Sequence, residues 1–272
     1  MWNRLAASLA YVVFTVLVIV WLPLMLLLAA ITFPFDRNRR FVGRSLRILA
    51  KLSSSAYPGW RMRLVDVPAL PSGPFIAVAN HESILDVFLV SRAPWEMKWM
   101  AKASLFRIPW IGLMFRLSGD IPIDRGERSS AVKALRRARR YLERGMPVML
   151  FPEGTRSRDG RLLPFKAGAF RLAIETGVPI LPIAVHGTYG GMPVSSPWVR
   201  PTRAVARFLP FVPVTGLTVE DLPRLTEEVR AQIQRARDEL AAENYAVARK
   251  SSLSPFPVAQ PAPVVRRPQD SS

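Results

Sequence analysis

The sequence predicts an α/β fold in which a mixed, largely parallel sheet is flanked by helices, with a membrane-associated helical segment at the N-terminus. Two observations support this prediction. Short apolar runs bounded by Pro and Gly alternate with longer stretches of helical periodicity, which is typical of strands joined by crossover helices. Residues 5–35 are almost wholly apolar and uncharged, and a helix needs about 20 such residues to cross a bilayer.

Composition narrows the kinds of site that the chain can hold. Its 272 residues include 38 Lys and Arg against 20 Asp and Glu, a formal charge of +18. Such a balance indicates an anionic partner: nucleic acid, anionic lipid headgroups or a phosphorylated substrate. The chain has no cysteine, which excludes disulfides and thiolate chemistry within it. Its two histidines are too few for a His-rich metal site, so we expect no metal.

We divide the chain into three parts. Residues 1–52 form a hydrophobic anchor and a basic amphipathic helix, 53–245 form the α/β domain, and 246–272, rich in Ser, Pro and Ala, form a disordered tail. A secretory signal peptide is the alternative for the apolar segment, but the run is long for one and lacks a convincing cleavage region. Pro23 could kink or split the segment, which either spans the membrane or lies within one leaflet.

The basic residues that follow the apolar segment predict its orientation. They alternate with apolar residues at helical spacing: Arg37, Arg39, Arg40, Arg44, Arg47 and Lys51. We interpret this stretch as a helix on an anionic membrane surface, with an ordinary solvated helix face as the alternative. By the positive-inside rule, the cations place the following domain at the cytoplasmic face of the membrane.

The elements of the α/β domain are predicted from its apolar runs. Strands are expected at residues 60–65, 75–79, 98–102, 119–125, 147–151, 179–185 and 207–214. Helices are expected from residue 87 and at residues 129–144, 165–176 and 222–245. The apolar segment 105–117 is interpreted as either a helix or a membrane-dipping surface.

The turn after the predicted strand at residues 75–79 carries the candidate catalytic residues. His81 lies at the mouth of this turn and Asp86 in the first turns of the helix, so the imidazole can fold back on the carboxylate. An Asp that accepts the Nδ1 proton fixes the tautomer and leaves Nε2 free as a base. The structural alternative is a helix capping box formed by Ser83 and Asp86, with His81 as a loop residue.

Two further predicted strands end in polar residues. Arg125 ends one of them, and a glycine-bearing loop that contains Arg156 follows the other. Because the ends of successive parallel strands face one crevice, we expect both arginines to lie near His81. A base, an orienting carboxylate and several arginines suit a phosphate-bearing alcohol that must be deprotonated.

Four blocks of the sequence, in order, resemble those of the glycerolipid acyltransferases. They are the HxxxxD motif from His81 to Asp86, residues 119–125, residues 151–157 (FPEGTRS) and residues 178–182, with segment 165–170 also similar. HxxxxD alone is a weak pattern, whereas the four blocks together are specific. The subgroup that the chain resembles most is the bacterial 1-acyl-sn-glycerol-3-phosphate acyltransferases. Two departures are Glu82, where Gln is common, and Pro122, where a larger apolar or aromatic residue is usual.

The resemblance implies an enzyme that moves a fatty acyl group from acyl-CoA or acyl carrier protein to the sn-2 hydroxyl of lysophosphatidic acid, giving phosphatidic acid. His81 would be the general base and Asp86 its orienting partner, with no acyl-enzyme and no cofactor beyond the acyl thioester. The implied phosphate-binding residues are Arg125, Glu153, Gly154 and Arg156, with Lys102 and Lys166 as further candidates. Another lysophospholipid or a lyso-ornithine lipid is the alternative acceptor.

Two other classes of function fit the sequence less well. A serine hydrolase would need a G-x-S-x-G elbow, and the glycine loop at 186–191 resembles an oxyanion loop only superficially, with His186 interpreted as structural. A basic, membrane-anchored nucleic-acid-binding protein is the non-enzyme alternative, favoured by the net charge and the arginines between residues 136 and 140. It leaves the polar strand ends unexplained. We therefore expect anionic lipid and no nucleic acid as partner, at the bacterial inner membrane.

Overall fold

The computed structural model of the chain describes residues 2–69, 73–193 and 198–250, and describes side chains within residues 5–245. Its α-helices are α1 (Trp2–Thr32), α2 (Arg40–Ser55), α3 (Leu85–Val90), α4 (Ile111–Ser118), α5 (Arg128–Glu143), α6 (Gly168–Thr176), α7 (Thr188–Gly191) and α8 (Leu222–Lys250). Its strands are β1 (Trp60–Val65), β2 (Ile76–Ala79), β3 (Lys98–Lys102), β4 (Ile121–Ile123), β5 (Val148–Leu150), β6 (Ile180–His186) and β7 (Thr202–Phe208). Short 3-10 helices cover Ala103–Arg107 and Val219–Asp221.

The strands within the described ranges form one sheet of order β1-β7-β6-β2-β5-β3-β4. Strands β6, β2, β5, β3 and β4 run parallel, and Ile76 of β2 pairs with Val148 of β5 and with Ile180 of β6. β7 runs antiparallel to β6 and parallel to β1, which makes the sheet mixed. The predicted α/β class with a largely parallel sheet is confirmed.

Apolar side chains cover both faces of the sheet. On one face, α5, α6 and α8 contribute to a core that contains Phe170 and Val229. On the other face, α3 and the segment after it contribute Leu89 and Trp95. The central strand β2 is buried at every position because helices or loops cover both of its sides. Because β2, β5, β3 and β4 run parallel, their carboxyl ends lie together at one end of the sheet.

The predicted seventh strand is wrong in its bounds. We expected it at residues 207–214, whereas β7 ends at Phe208. Pro210 and Pro213 have no N–H to donate to a ladder, so beyond Phe208 only an isolated bridge between Ile180 and Val212 forms. Helix α8 continues to Lys250, beyond its predicted end, and residues 251–272 of the predicted tail lie outside the described residues.

The N-terminal helix α1 continues through Pro23 without a break. Its stretch Leu5–Thr32, 28 residues, is long and apolar enough to cross a membrane. One side of α1 packs on the domain: Val18, Leu22 and Met25 meet residues of α2 and α4. The other side is exposed and apolar: Leu5, Leu9, Val12, Val16, Ile19, Val20, Leu24, Leu27 and Ile31.

Helix α2 is attached to the sheet by a buried cluster of charges. Arg47 is only 3% exposed and its Nη2 lies 2.6 Å from Oδ1 of Asp120. It also lies 3.6 Å from Glu96, which pairs with Lys98 at 3.1 Å. The expectation that Arg47 lies on a membrane surface is therefore corrected. Its side chain faces inward because two buried carboxylates require cations beside them.

Candidate active site

The candidate catalytic pair lies beyond the carboxyl end of β2. Nδ1 of His81 lies 2.7 Å from Oδ2 of Asp86, and both residues are buried. The same Oδ2 accepts hydrogen bonds from the main-chain N–H groups of Glu82 (2.7 Å) and Ser83 (2.9 Å). One carboxylate thus stabilises the turn and holds the imidazole, so the capping and the chemical interpretations of this stretch are compatible.

Two contacts fix the pair from its other sides. Oδ1 of Asp86 accepts a hydrogen bond from the hydroxyl of Thr188, at the start of α7. The His81 ring stacks on Phe151, with centroids 4.0 Å apart and planes 13° from parallel. With Nδ1 engaged by the carboxylate, Nε2 is the ring nitrogen that can accept a proton. Sequence reasoning missed Thr188, although its place in the glycine loop after β6 marks it as a strand-end residue.

Glu153, in the loop after β5, holds the main chain of the same turn. Its Oε1 accepts a hydrogen bond from the His81 N–H (2.6 Å), and its Oε2 accepts one from the Leu163 N–H (2.9 Å). The Ser157 N–H in turn donates to the His81 carbonyl at 2.8 Å. Burial raises the pKa of Glu153 to about 7, while the two N–H donors act in the opposite direction.

Glu82, one of the two departures noted above, is buried and paired with Arg237 of α8. Nε of Arg237 lies 3.2 Å from Oε1 of Glu82, and its Nη2 also donates to that oxygen. Nη2 donates in addition to the Gly160 carbonyl at 2.7 Å. Burial raises the pKa of Glu82 to about 7, opposed by the charge of Arg237 and reinforced by Asp86. No local pattern in the sequence signals Arg237, because its partner is 155 residues away.

The predicted phosphate-binding cations lie around the same edge of the sheet. Lys102 is the last residue of β3, Arg125 follows β4, and Arg156 lies in the loop after β5. Desolvation of the guanidinium and then the nearby charge of Arg156 lower the pKa of Arg125, although the residue is exposed overall. Within the described ranges, none of these three side chains has a carboxylate partner. They are therefore available to an anionic ligand.

Gly154 allows Lys166, the fourth predicted phosphate-binding cation, to approach the loop. Its φ of 71° lies in the left-handed region that glycine adopts without strain. A Cβ at this position would lie 2.8 Å from Nζ of Lys166, so the lysine side chain crosses directly over the glycine. The Lys166 N–H donates to the Pro152 carbonyl at 2.9 Å, which closes the loop beneath it. Gly154 thus makes room for Lys166 beside Arg156.

Comparisons with known proteins cover the segment that contains this candidate site. The Acyltransferase family model matches residues 61–186, a range that contains all of the predicted site residues. The chloroplastic 1-acyl-sn-glycerol-3-phosphate acyltransferase BAT2 of Brassica napus is 39% identical over 196 residues, covering 71% of this chain and 54% of the relative. The 1-acyl-sn-glycerol-3-phosphate acyltransferase alpha of Homo sapiens is 36% identical over 162 residues, covering 59% of this chain and 57% of the relative. The chain thus spans little more than half the length of these relatives.

A solved structure shares the fold over nearly its whole length. The crystal structure of the 1-acyl-sn-glycerophosphate (LPA) acyltransferase PlsC from Thermotoga maritima superposes with a TM-score of 0.73 and 27% identity. The match covers 88% of this chain and 96% of that one. Together with the match of the Acyltransferase family model across the turn of His81 and Asp86, it shows that the chain is similar in sequence and in fold to the glycerolipid acyltransferases.

Proposed function

We propose that the chain transfers a fatty acyl group from an acyl thioester to the sn-2 hydroxyl of lysophosphatidic acid, producing phosphatidic acid for phospholipid biosynthesis. The observation that carries this proposal is the buried His81–Asp86 pair, which opens onto an edge of the sheet lined with cations that have no carboxylate partner among the described residues. The relatives named for this activity support it. A base beside anion-binding groups suits an alcohol that carries a phosphate.

In this mechanism Nε2 of His81 takes the proton of the acceptor hydroxyl as the oxygen attacks the thioester carbonyl. Asp86 accepts the Nδ1 proton and stabilises the imidazolium that forms. The thiolate leaves as the carbonyl re-forms, and the imidazolium returns the proton to it, so no acyl-enzyme is required. A positioned base contributes typically about 10²–10⁴ in rate, and the alignment of two bound substrates contributes further.

The acceptor phosphate binds Arg125 in this proposal, with Arg156, Lys102 and Lys166 around it. Arginine can engage two phosphate oxygens at once, whereas lysine offers a single point charge. Gly154 lets Lys166 reach the pocket, and Glu153 shapes it by holding the His81 main chain. The donor is acyl-CoA or acyl carrier protein, and both are anionic partners suited to a chain with a formal charge of +18.

The chain works at a membrane in this proposal, at the cytoplasmic face of the bacterial inner membrane. The contact of α1 with the domain extends from Ala7, which packs against Tyr57, to Met25. This interval is about 27 Å of helix. A helix bound to the domain along that length lies beside it, which favours insertion into one leaflet, with anionic lipid as the partner of the exposed cations.

The test is an acceptor panel with the purified full-length chain and one labelled acyl thioester. Lysophosphatidic acid, a neutral or zwitterionic lysophospholipid and a lyso-ornithine lipid are compared at matched concentrations. We expect the highest kcat/KM for lysophosphatidic acid. Preference for a lipid without a phosphomonoester would overturn the proposed acceptor while leaving acyl transfer intact. A second panel with acyl-CoA and acyl carrier protein identifies the donor.

A further inference from the structure

A cavity of about 450 Å³ lies at the free edge of the sheet, beside strand β4. Its lining combines four arginines with Ala103, Phe106, Asp120 and Pro122: the arginines are Arg39, Arg107, Arg116 and Arg137. They come from four different segments, namely the α1–α2 connection, the 3-10 helix, α4 and α5. None of them belongs to the proposed catalytic or phosphate-binding set.

The cavity is electropositive because its one carboxylate is already engaged. Asp120 accepts hydrogen bonds from Arg47 (2.6 Å) and from the Trp99 N–H (3.0 Å). Among the described residues, none of the four lining guanidiniums has a carboxylate partner, and the guanidinium of Arg39 donates only to the Arg116 carbonyl. Four like charges around one cavity repel one another, and a bound anion would offset that repulsion.

The cavity is separate from the catalytic pair. Pro122 lies on β4, whereas His81 follows β2, and strands β5 and β3 lie between them. At the usual spacing of neighbouring strands, the two positions are about 14 Å apart across the sheet. Arg125 follows the same strand as Pro122, but neither it nor Lys102, Arg156 or Lys166 lines the cavity, so the four arginines form a separate set.

Exposed aromatic residues lie close in sequence to two of the arginines that line the cavity. Phe35 (65% exposed) and Phe41 (54%) lie within four residues of Arg39 in the chain, and Trp110 (53%) lies three residues after Arg107. Arg39 and Trp110 also adopt positive φ angles of 50° and 63°, which disfavour residues with a Cβ. Non-glycine residues in that region cluster at functional sites. Aromatic and apolar residues around a basic cavity are typical of a surface at the level of lipid headgroups.

We propose that this cavity binds the phosphate of an anionic membrane lipid, at a site distinct from that of the acyl acceptor. The phosphate lies between the four guanidiniums, and the acyl chains lie along the exposed apolar residues beside α1. The proposal goes beyond acyl transfer, since the bound lipid is neither a substrate nor a product. It assigns a role to the arginines of α5 and α4 that the proposed chemistry does not use.

The experiment measures binding of short-chain phosphatidylglycerol to the full chain in detergent, by isothermal titration calorimetry, in a His81→Ala background. Phosphatidylglycerol is fully acylated, so it can be neither the proposed acceptor nor its product. The test variant combines Arg107→Gln with Arg137→Gln. The matched control combines Arg136→Gln with Arg140→Gln, which removes the same charge from exposed positions of α5 outside the cavity.

We expect the test variant to weaken binding by about tenfold or more, and the control to change it by less than about threefold. Short-chain phosphatidylcholine should bind neither protein measurably. Equal losses in the two variants would show that only net charge matters, and would overturn the site. Inorganic phosphate that binds as tightly as the lipid would overturn the lipid as its ligand. These outcomes do not depend on turnover, so they are distinct from failure of the proposed function.

Discussion

Nε of Arg237 lies 3.2 Å from Oε1 of Glu82, and this buried ion pair joins the last helix to the turn that carries His81. The helix lies outside the matched range 61–186. Glu82 stands where Gln is common in the family that the chain resembles. Its carboxylate pairs with a cation that lies 155 residues further along the chain. We therefore expect Arg237 to position the turn from outside the proposed catalytic and phosphate-binding set.

Arg237→Met should destabilise the chain because it leaves the carboxylate of Glu82 buried without a cation. Loss of one partner of a buried pair costs about 3–5 kcal/mol, and we expect a lower melting temperature and a lower kcat. The double variant Glu82→Gln with Arg237→Met removes both charges and should recover most of the loss. Thermal unfolding in detergent and initial rates measure both effects.

Arg235→Met is the matched control, since Arg235 is exposed on the same helix. It should leave the melting temperature nearly unchanged. If the Arg237 variant were as stable as the parent chain, or the double variant no better than the single one, the ion pair would have no positioning role.

His81→Ala should reduce turnover by at least about 10²-fold while leaving membrane association intact, because Nε2 is the proposed base. His186→Asn is the control, as the second of the two histidines in the chain. Burial and the charge of Arg237 lower the pKa of His186 to about 4, so it is neutral at working pH and outside the proposed chemistry. Rates with a labelled acyl thioester, together with membrane fractionation, decide the matter. Retained turnover in the His81 variant would remove the base assignment.

Thr188→Val should lower kcat by about tenfold with little change in KM. The hydroxyl of Thr188 donates to Asp86, and an isosteric methyl group leaves that buried carboxylate oxygen short of one hydrogen bond. A purely structural role would lower the melting temperature at unchanged kcat. Thr176→Val is a suitable comparison, because the Thr176 hydroxyl donates only to helix carbonyls in α6.

Arg125→Ala should raise the KM for lysophosphatidic acid by about tenfold, the usual worth of a charge-assisted hydrogen bond, and leave the KM of the acyl donor unchanged. Steady-state kinetics with each substrate varied in turn measure the two constants. Arg128→Ala removes an exposed cation three residues away and should change neither. An unchanged acceptor KM in the Arg125 variant would end its phosphate role.

Stability should fall as pH rises from about 4.5 towards 7, because burial raises the pKa of Glu153 to about 7 from 4.5. Between these values the folded chain holds a proton that the unfolded chain has released, so this contribution to stability is complete below 4.5 and lost above 7. Glu153→Gln should show a smaller fall in melting temperature between about pH 5 and pH 8. Glu143→Gln, at an exposed position, should follow the parent curve. A Glu153 variant with that same curve would contradict the prediction.

The parts of the fold that follow from local pattern were predictable from sequence. Alternating apolar runs and helical periods predicted the α/β class and the strand β2, and the turn after β2 contained His81 and Asp86 at the spacing that the structure brings to 2.7 Å. The apolar run at 207–214 predicts β7 too late in the chain, because Pro210 and Pro213 cannot donate to a strand ladder. Its pairing with β1 and β6 depends on partners remote in sequence.

The contacts that complete the site depend on distance in the chain. Thr188 meets Asp86 from 102 residues away, and the inward orientation of Arg47 depends on Asp120, 73 residues further along. A basic residue on an amphipathic helix has the same local signature whether it faces lipid, solvent or a buried carboxylate. Only the packing of α2 on the sheet decides between them.

Helix α1 cannot be treated as a detachable leader in designing a water-soluble form of the chain. Deleting it would expose Val42, Leu49 and Met114, which it buries. The exposed apolar surface of α1 would then be replaced by an exposed apolar surface on the domain. A water-soluble form should instead keep the residues of α1 that pack on the domain. Exposed residues such as Leu9, Val16 and Leu24 would be replaced with polar ones.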